Sequence, residues 1–82
     1  MATFMDIHHV PGVNADAAAE AHAADLRVQG AYGVDYQRYW VDEAAGTLFC
    51  LVEAPDAATA ARVHREAHGL EAEAIHLVTE GA

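Results

Sequence analysis

Lysine is absent from this sequence, and its four arginines stand against thirteen acidic residues, giving a formal net charge of −9. A surface so short of positive charge repels phosphate backbones, which excludes nucleic acid as a partner and leaves a diffuse attraction for dications. There is one cysteine, Cys50, so no disulfide can close within the chain and no cluster of thiolates can hold a metal. No apolar run reaches the roughly 18 residues of a membrane span. The opening stretch MATFMDIHHV lacks the basic, apolar, small-residue order of a signal peptide. The expectation is a soluble, cytoplasmic protein with no membrane partner. Proline is scarce as well, and both copies, Pro11 and Pro55, sit where the chain turns.

What the sequence has in quantity is alanine, twenty copies, and histidine, six in 82 residues. The length allows a single domain, residues 1–82. A chain this short buries only about 60–65% of its unfolded surface, so a self-association surface would usefully enlarge its core.

Thr3 to Val10 is a strand-like run that stops at Pro11-Gly12. From the N-cap residue Asn14, the alanine-rich NADAAAEAHAADLRVQG predicts a helix closed by Gly30. Val34–Asp42 and Thr47–Ala54 are rich in aromatic and branched residues and predict a hairpin. Asp56 caps a second helix that Gly69 ends, and Ala74–Glu80 makes the last strand. The order β-α-β-β-α-β is the split βαβ, or ferredoxin-like, α+β arrangement: one antiparallel sheet, strand order 4-1-3-2, with both helices on one face.

The strand TLFCLVEA is apolar on both sides, Leu48, Cys50 and Val52 pointing one way and Phe49 and Leu51 the other. On its neighbour, simple alternation puts Tyr36 and Trp40 on one face and Tyr39 and Val41 on the other. A strand apolar on both sides asks for burial on both, so a homodimer packed through the helix-free face is expected.

The segment VHREAHG resembles a shuffled zinc-protease signature. At about 100° per residue, His64 and His68 project from the same side of the second helix, close enough to share an ion. The protease motif places glutamate directly after the first histidine, where Arg65 stands here. Glu66 falls about 200° around from His64, so the protease reading fails. The two histidines border an inward stripe of Ala60, Val63 and Ala67, which suits half-exposed ligands. For His68 alone, a favourable meeting with the helix dipole is explanation enough.

Topology gathers more imidazoles. His8 and His9 close the first strand, His76 lies early in the last, and both strand ends approach the end of the second helix. His22 lies midway along the first helix, with Asp25 one turn beyond. Because the first and last strands are neighbours, Asp6, His8 and His76 meet on one sheet face in one of the possible registers. Imidazoles with carboxylates suit zinc, copper(II), nickel and cobalt, whereas calcium and magnesium want more oxygen ligands. Such a surface site should weaken below about pH 6, since a ligand histidine must be neutral.

HHVPGV, LFCLVEAPDAATA and HREAHGLEAEAI resemble a small bacterial family of ferredoxin-like domains, some of them described as nickel-binding proteins. The resemblance covers nearly the whole chain. It implies a ferredoxin-like dimer that binds nickel at surface sites and sequesters or stores it. His9, His64 and His68 fall within matched segments, and His22 and His76 outside them. The metal candidates are thus His64, His68, His9, His8, His22 and His76, with nickel(II) as the expected ion and zinc, copper and cobalt as alternatives. A competing reading is a small dimeric monooxygenase- or isomerase-like enzyme. Its pocket between sheet and helices would be lined by Tyr36, Tyr39 and Trp40, with His9 or His76 as the acid–base group. No nucleophile, base and orienting trio is readable in support of it. A third reading, an acidic interaction module for a basic partner, has no motif behind it.

Overall fold

A computed structural model describes all residues 1–82, in the order β1 (Ala2–His9), α1 (Ala15–Val28), a 3-10 turn (Gln29–Tyr32), β2 (Asp35–Asp42), β3 (Thr47–Ala54), α2 (Ala57–Ala67) and β4 (Ala74–Leu77). The four strands form one sheet in the order β2-β3-β1-β4, antiparallel at every pairing, as the ferredoxin-like reading requires.

β1 and β3 pair along their whole lengths, from Ala2 opposite Ala54 to His9 opposite Thr47. Cross-strand partners share a face, so Phe4, Asp6 and His8 lie with Val52, Cys50 and Leu48 under the helices. Met5, Ile7, Phe49 and Leu51 take the open face, as the two-sided pattern of β3 anticipates. The core sits on the helix side and centres on Phe4, Tyr36, Leu48, Val52 and Val63, with Ala18, Ala54 and Ala60 letting the backbones approach closely.

β2 departs from simple alternation. Tyr36 pairs with Val52 but Arg38 with Leu51, so Gln37 is an extra residue in a bulge. The bulge flips the facing of everything after it. Tyr36, Tyr39 and Val41 therefore all face the helices, opposite Val52, Cys50 and Leu48, and Trp40 faces outward opposite Phe49. Tyr36 and Trp40 do not share a face.

Both N-caps act as their residue types dictate. The Asn14 side chain accepts from the Ala17 amide at 2.8 Å, and the Asp56 carboxylate accepts from the Thr59 amide and hydroxyl at 2.7 Å each. The end of α1 differs from expectation. Gly30 does not stop it; the chain continues through the 3-10 turn to Gly33, whose φ of 64° is the left-handed cap. That extra turn carries Tyr32 onto α2, where its hydroxyl donates to Glu66 at 2.6 Å and its ring lies 4.9 Å from the Arg62 guanidinium. α2 ends as read, at Gly69 with φ 77°.

Candidate metal centre

Asp6 and His8 are alternate residues of the central strand β1, so both point into the core beneath α2. His64 comes down from α2, Asp25 reaches across from α1, and Tyr36 and Cys50 complete the surroundings from the sheet. Asp6, His8, Asp25 and His64 are each no more than 2% exposed. Buried ionisable groups at this density persist only when they satisfy one another or hold an ion.

The contacts form one chain. His8 Nε2 donates to Asp6 Oδ1 at 2.8 Å, and the Tyr36 hydroxyl donates to Asp6 Oδ2 at 2.9 Å, with the Ala60 carbonyl 3.0 Å away. His64 Nε2 lies 3.0 Å from Asp6 Oδ2, and its other nitrogen, Nδ1, donates to Asp25 Oδ1 at 2.8 Å. His68 Nε2 stands 3.0 Å from that same Asp25 oxygen. The Leu70 amide donates to His68 Nδ1 at 3.2 Å, so in the neutral ring the proton is left on Nε2, facing Asp25.

Two atoms stay unsatisfied. His8 Nδ1 has no partner, and His64 Nε2, despite its closeness to Asp6, makes no properly directed hydrogen bond. A buried ring nitrogen near a carboxylate but off its hydrogen-bonding direction is one that the protein's own groups leave without a partner.

The electrostatics follow from the packing. Burial alone would raise the Asp6 carboxyl, but the close approach and charge of His64 and His8 outweigh it and hold Asp6 well below the usual carboxylate range. Burial also opposes the lowering of Asp25, and His64 and His68 prevail in the same way. Burial disfavours the His64 cation, yet Asp25 and Asp6 together push its pKa up to about 9. Burial, and then the charge of Asp6, raises both the Tyr36 phenol and the Cys50 thiol. Two carboxylates thus flank one imidazolium, which leaves a negative excess in a dry interior.

Two sets of donors emerge. One oxygen, nitrogen or sulfur from each of Asp6, His8, Cys50 and His64 falls within 4.8 Å of the others, and so does one from each of Asp25, His64 and His68. Nitrogen and carboxylate donors with a single thiol suit borderline dications better than calcium or magnesium. The unpartnered His64 Nε2 and His8 Nδ1 agree with that fit.

Of the histidines named from sequence, His64, His68 and His8 come together. His22 stands at the margin, its ring 4.9 Å from Tyr39 in a cleft, too narrow for water, that leads to His64 and His68. His9 and His76 do not join. His76 pairs with Met5, and Asp6 with Ile75, so the register turns His76 to the open face, away from Asp6 and His8. His9 pairs with Thr47 at the exposed strand end. The half-exposed setting expected for His64 is also corrected: it is 2% exposed. Angular reckoning centred the stripe on apolar residues, whereas Asp25, bonded to one ring nitrogen, and Asp6, close to the other, give the ring a charged setting in the interior. Asp25 and Cys50 were missing from the candidates. The one signal for Asp25 is its place seven residues after the buried Ala18, two turns along the same helix face.

The aromatic residues of the enzyme reading divide. Tyr36 and Tyr39 lie under the helices, and Trp40, with His9 and His76, lies on the other side of the sheet.

Residues 4–78 match the family described as "Nickel responsive protein SCO4226-like". The chain belongs to that family. In overall shape it is similar to the crystal structure of SCO4226 from Streptomyces coelicolor A3(2), with a TM-score of 0.91 and 41% sequence identity over 99% of this chain and 100% of that one. No curated protein matches. A family described as nickel responsive and an interior cluster of imidazoles and carboxylates that could hold a metal point in one direction. No helix of the chain is long and apolar enough to cross a membrane.

Proposed function

We propose that this protein binds a transition-metal dication, nickel before zinc, copper or cobalt, in the interior cluster, and sequesters or stores it in the cytoplasm without catalysis. Asp6, His8 and His64 supply the ligands, with Cys50 beside them. Asp25 fixes the orientation of the His64 ring, as a carboxylate behind a ligating histidine does. The observation that carries this reading is the pair Asp6 and His64, buried together with a ring nitrogen 3.0 Å from a carboxylate oxygen and no directed hydrogen bond between them. The family's description supplies the preference for nickel.

Burial favours holding an ion over exchanging it quickly, because His22, Tyr39 and His68 must move to let one pass. Isothermal titration with nickel at pH 8 tests the proposal, using wild type and His8→Phe with circular dichroism as the fold control. Uptake by wild type that is lost in the variant supports it, and equal uptake by both removes the cluster from the account.

The functional unit in this proposal is a homodimer joined through the open sheet face. Met5, Ile7, Phe49 and Leu51 are only partly buried there, and Trp40 is 48% exposed. Such a continuous apolar face on so small a domain favours self-association.

A further inference from the structure

The two helices cover the same face of the sheet but hold to it by different means. α2 buries Ala60, Val63 and His64 along its inward stripe. On α1 only Ala18 and Asp25 are buried, and the inner face between them, Ala21 and His22, stays half-buried. Leu26, the largest aliphatic side chain of α1, is 49% exposed. An alanine gives the core a single methyl group, so the body of α1 contributes little apolar area to hold it down.

The packing beneath the helix agrees. Ala18, Ala21 and His22 face Tyr39, Leu48 and Cys50 across the narrow cleft, a gap that neither side chains nor water fill. Atoms lining such a gap lose their dispersion partners. Asp25 Oδ1 makes the polar tie, 2.8 Å from His64 Nδ1 and 3.0 Å from His68 Nε2. No other side chain between Ala15 and Val28 makes a hydrogen bond or ion pair outside the helix. Beyond its ends the chain is anchored again. Val13 is buried, Gln29 Oε1 accepts from the Tyr36 amide at 2.7 Å, and Tyr32 bonds Glu66.

We propose that α1 is a lid: its body, Ala15–Val28, leaves the sheet as one unit while the strands and α2 stay folded, and Asp25 is the latch. Units with few buried apolar contacts open at lower cost than the whole domain, and covers over interior groups are drawn from them. Opening brings solvent to Tyr39, Cys50, His64 and His68 without unfolding the sheet. The inference concerns the metal-free chain and stands apart from the metal-binding reading.

Amide hydrogen exchange of the metal-free protein at pH 7, followed by nuclear magnetic resonance, is the test. Corrected for intrinsic rates, the mid-helix amides of Ala21–Leu26 should exchange at least tenfold faster than those of β1 and β3. Asp25→Ala should speed the α1 amides at least tenfold again. Phe4→Leu, a loss of packing in β1, should speed the strands and leave α1 unchanged. Cys50, 4% exposed beneath α1, reports the opening directly. Its alkylation by iodoacetamide should quicken in Asp25→Ala by the same factor as the α1 amides. Equal protection of α1 and the strands in the wild type means that α1 opens only by global unfolding, and overturns the lid with no variant needed. Amides of α1 that follow the strands in Phe4→Leu, or that ignore Asp25→Ala, overturn it too, as does Cys50 alkylation that does not change with them.

Discussion

His64 Nε2 and Asp6 Oδ2 lie 3.0 Å apart in an interior that excludes water, one from the second helix and the other from the central strand. The two residues are 58 positions apart in the chain, and the ferredoxin-like topology is what makes them neighbours. Their relation in the metal-free protein is an ion pair, and in the proposed function the same two atoms become ligands once the ring gives up its proton.

Metal affinity should therefore rise with pH to a higher limit than a surface histidine would give. Because His64 holds its proton until about pH 9, each ion bound at neutral pH must expel it. Apparent affinity should climb about tenfold per pH unit for each proton expelled, and level off above pH 9. Nickel titrations at pH 7, 8 and 9, in two buffers of different ionisation enthalpy, measure both slope and proton release. Affinity constant above pH 7 would contradict a protonated His64.

Stability of the metal-free protein should run the other way. The His64 pKa is raised on folding from 6.5 to about 9, so its contribution is complete below about 6.5 and is lost as pH rises through 9. Asp6 and Asp25 are lowered from 3.8, so their contribution is present above that value and fades as pH falls further. These are two views of one interaction. The melting temperature of chelator-treated protein should be highest between about pH 4.5 and 6.5 and fall toward pH 9.5. Differential scanning calorimetry across that range checks it.

Removing the shared ring should be severe. His64→Ala takes away the cation that the two buried carboxylates share, leaving Asp6 only His8 and Tyr36 and Asp25 only His68, and a loss of about 3–5 kcal/mol is expected in urea unfolding of the metal-free protein. Adding Asp6→Asn and Asp25→Asn to His64→Leu removes the charges as well and should recover part of that loss. No recovery would mean that the stability lies in packing, not charge.

Tyr36→Phe keeps the ring in the core but takes away the donor to Asp6. About 1–3 kcal/mol of stability should go with it, from urea unfolding. A change below a few tenths would show that the hydroxyl contributes little to holding Asp6.

Trp40→Glu puts a charge in the middle of the open sheet face. Wild type should sediment as a dimer and the variant as a monomer, with unchanged circular dichroism. A monomeric wild type at micromolar concentration would reject the homodimer.

The fold was legible because its signals are local: Asn14 and Asp56 cap, Gly69 stops, and the two-sided apolar pattern marks β3 as a central strand. The bulge at Gln37 was not, because alternation has no mark for an extra residue whose cost is met by the neighbouring strand. Tyr39 and Val41 accordingly share a face with Tyr36, and Trp40 does not. The site was legible in part. His64, His68 and His8 come together as the sequence suggested, but burial escaped the sequence because a histidine between two aspartates packs like an apolar residue. Asp25 was hidden for the same reason, an acid on an alanine helix that becomes an interior residue only when α2 lies against it. His76 depended on a register that one residue's slip reverses.

Crystals soaked in nickel at pH 8, with diffraction collected on both sides of the nickel absorption edge, test the central claim most directly. An anomalous peak is expected in the protein interior, among Asp6, His8 and His64. A fully refined structure in which nickel sits only at exposed residues such as His9 or His76, or nowhere on the chain, would contradict it.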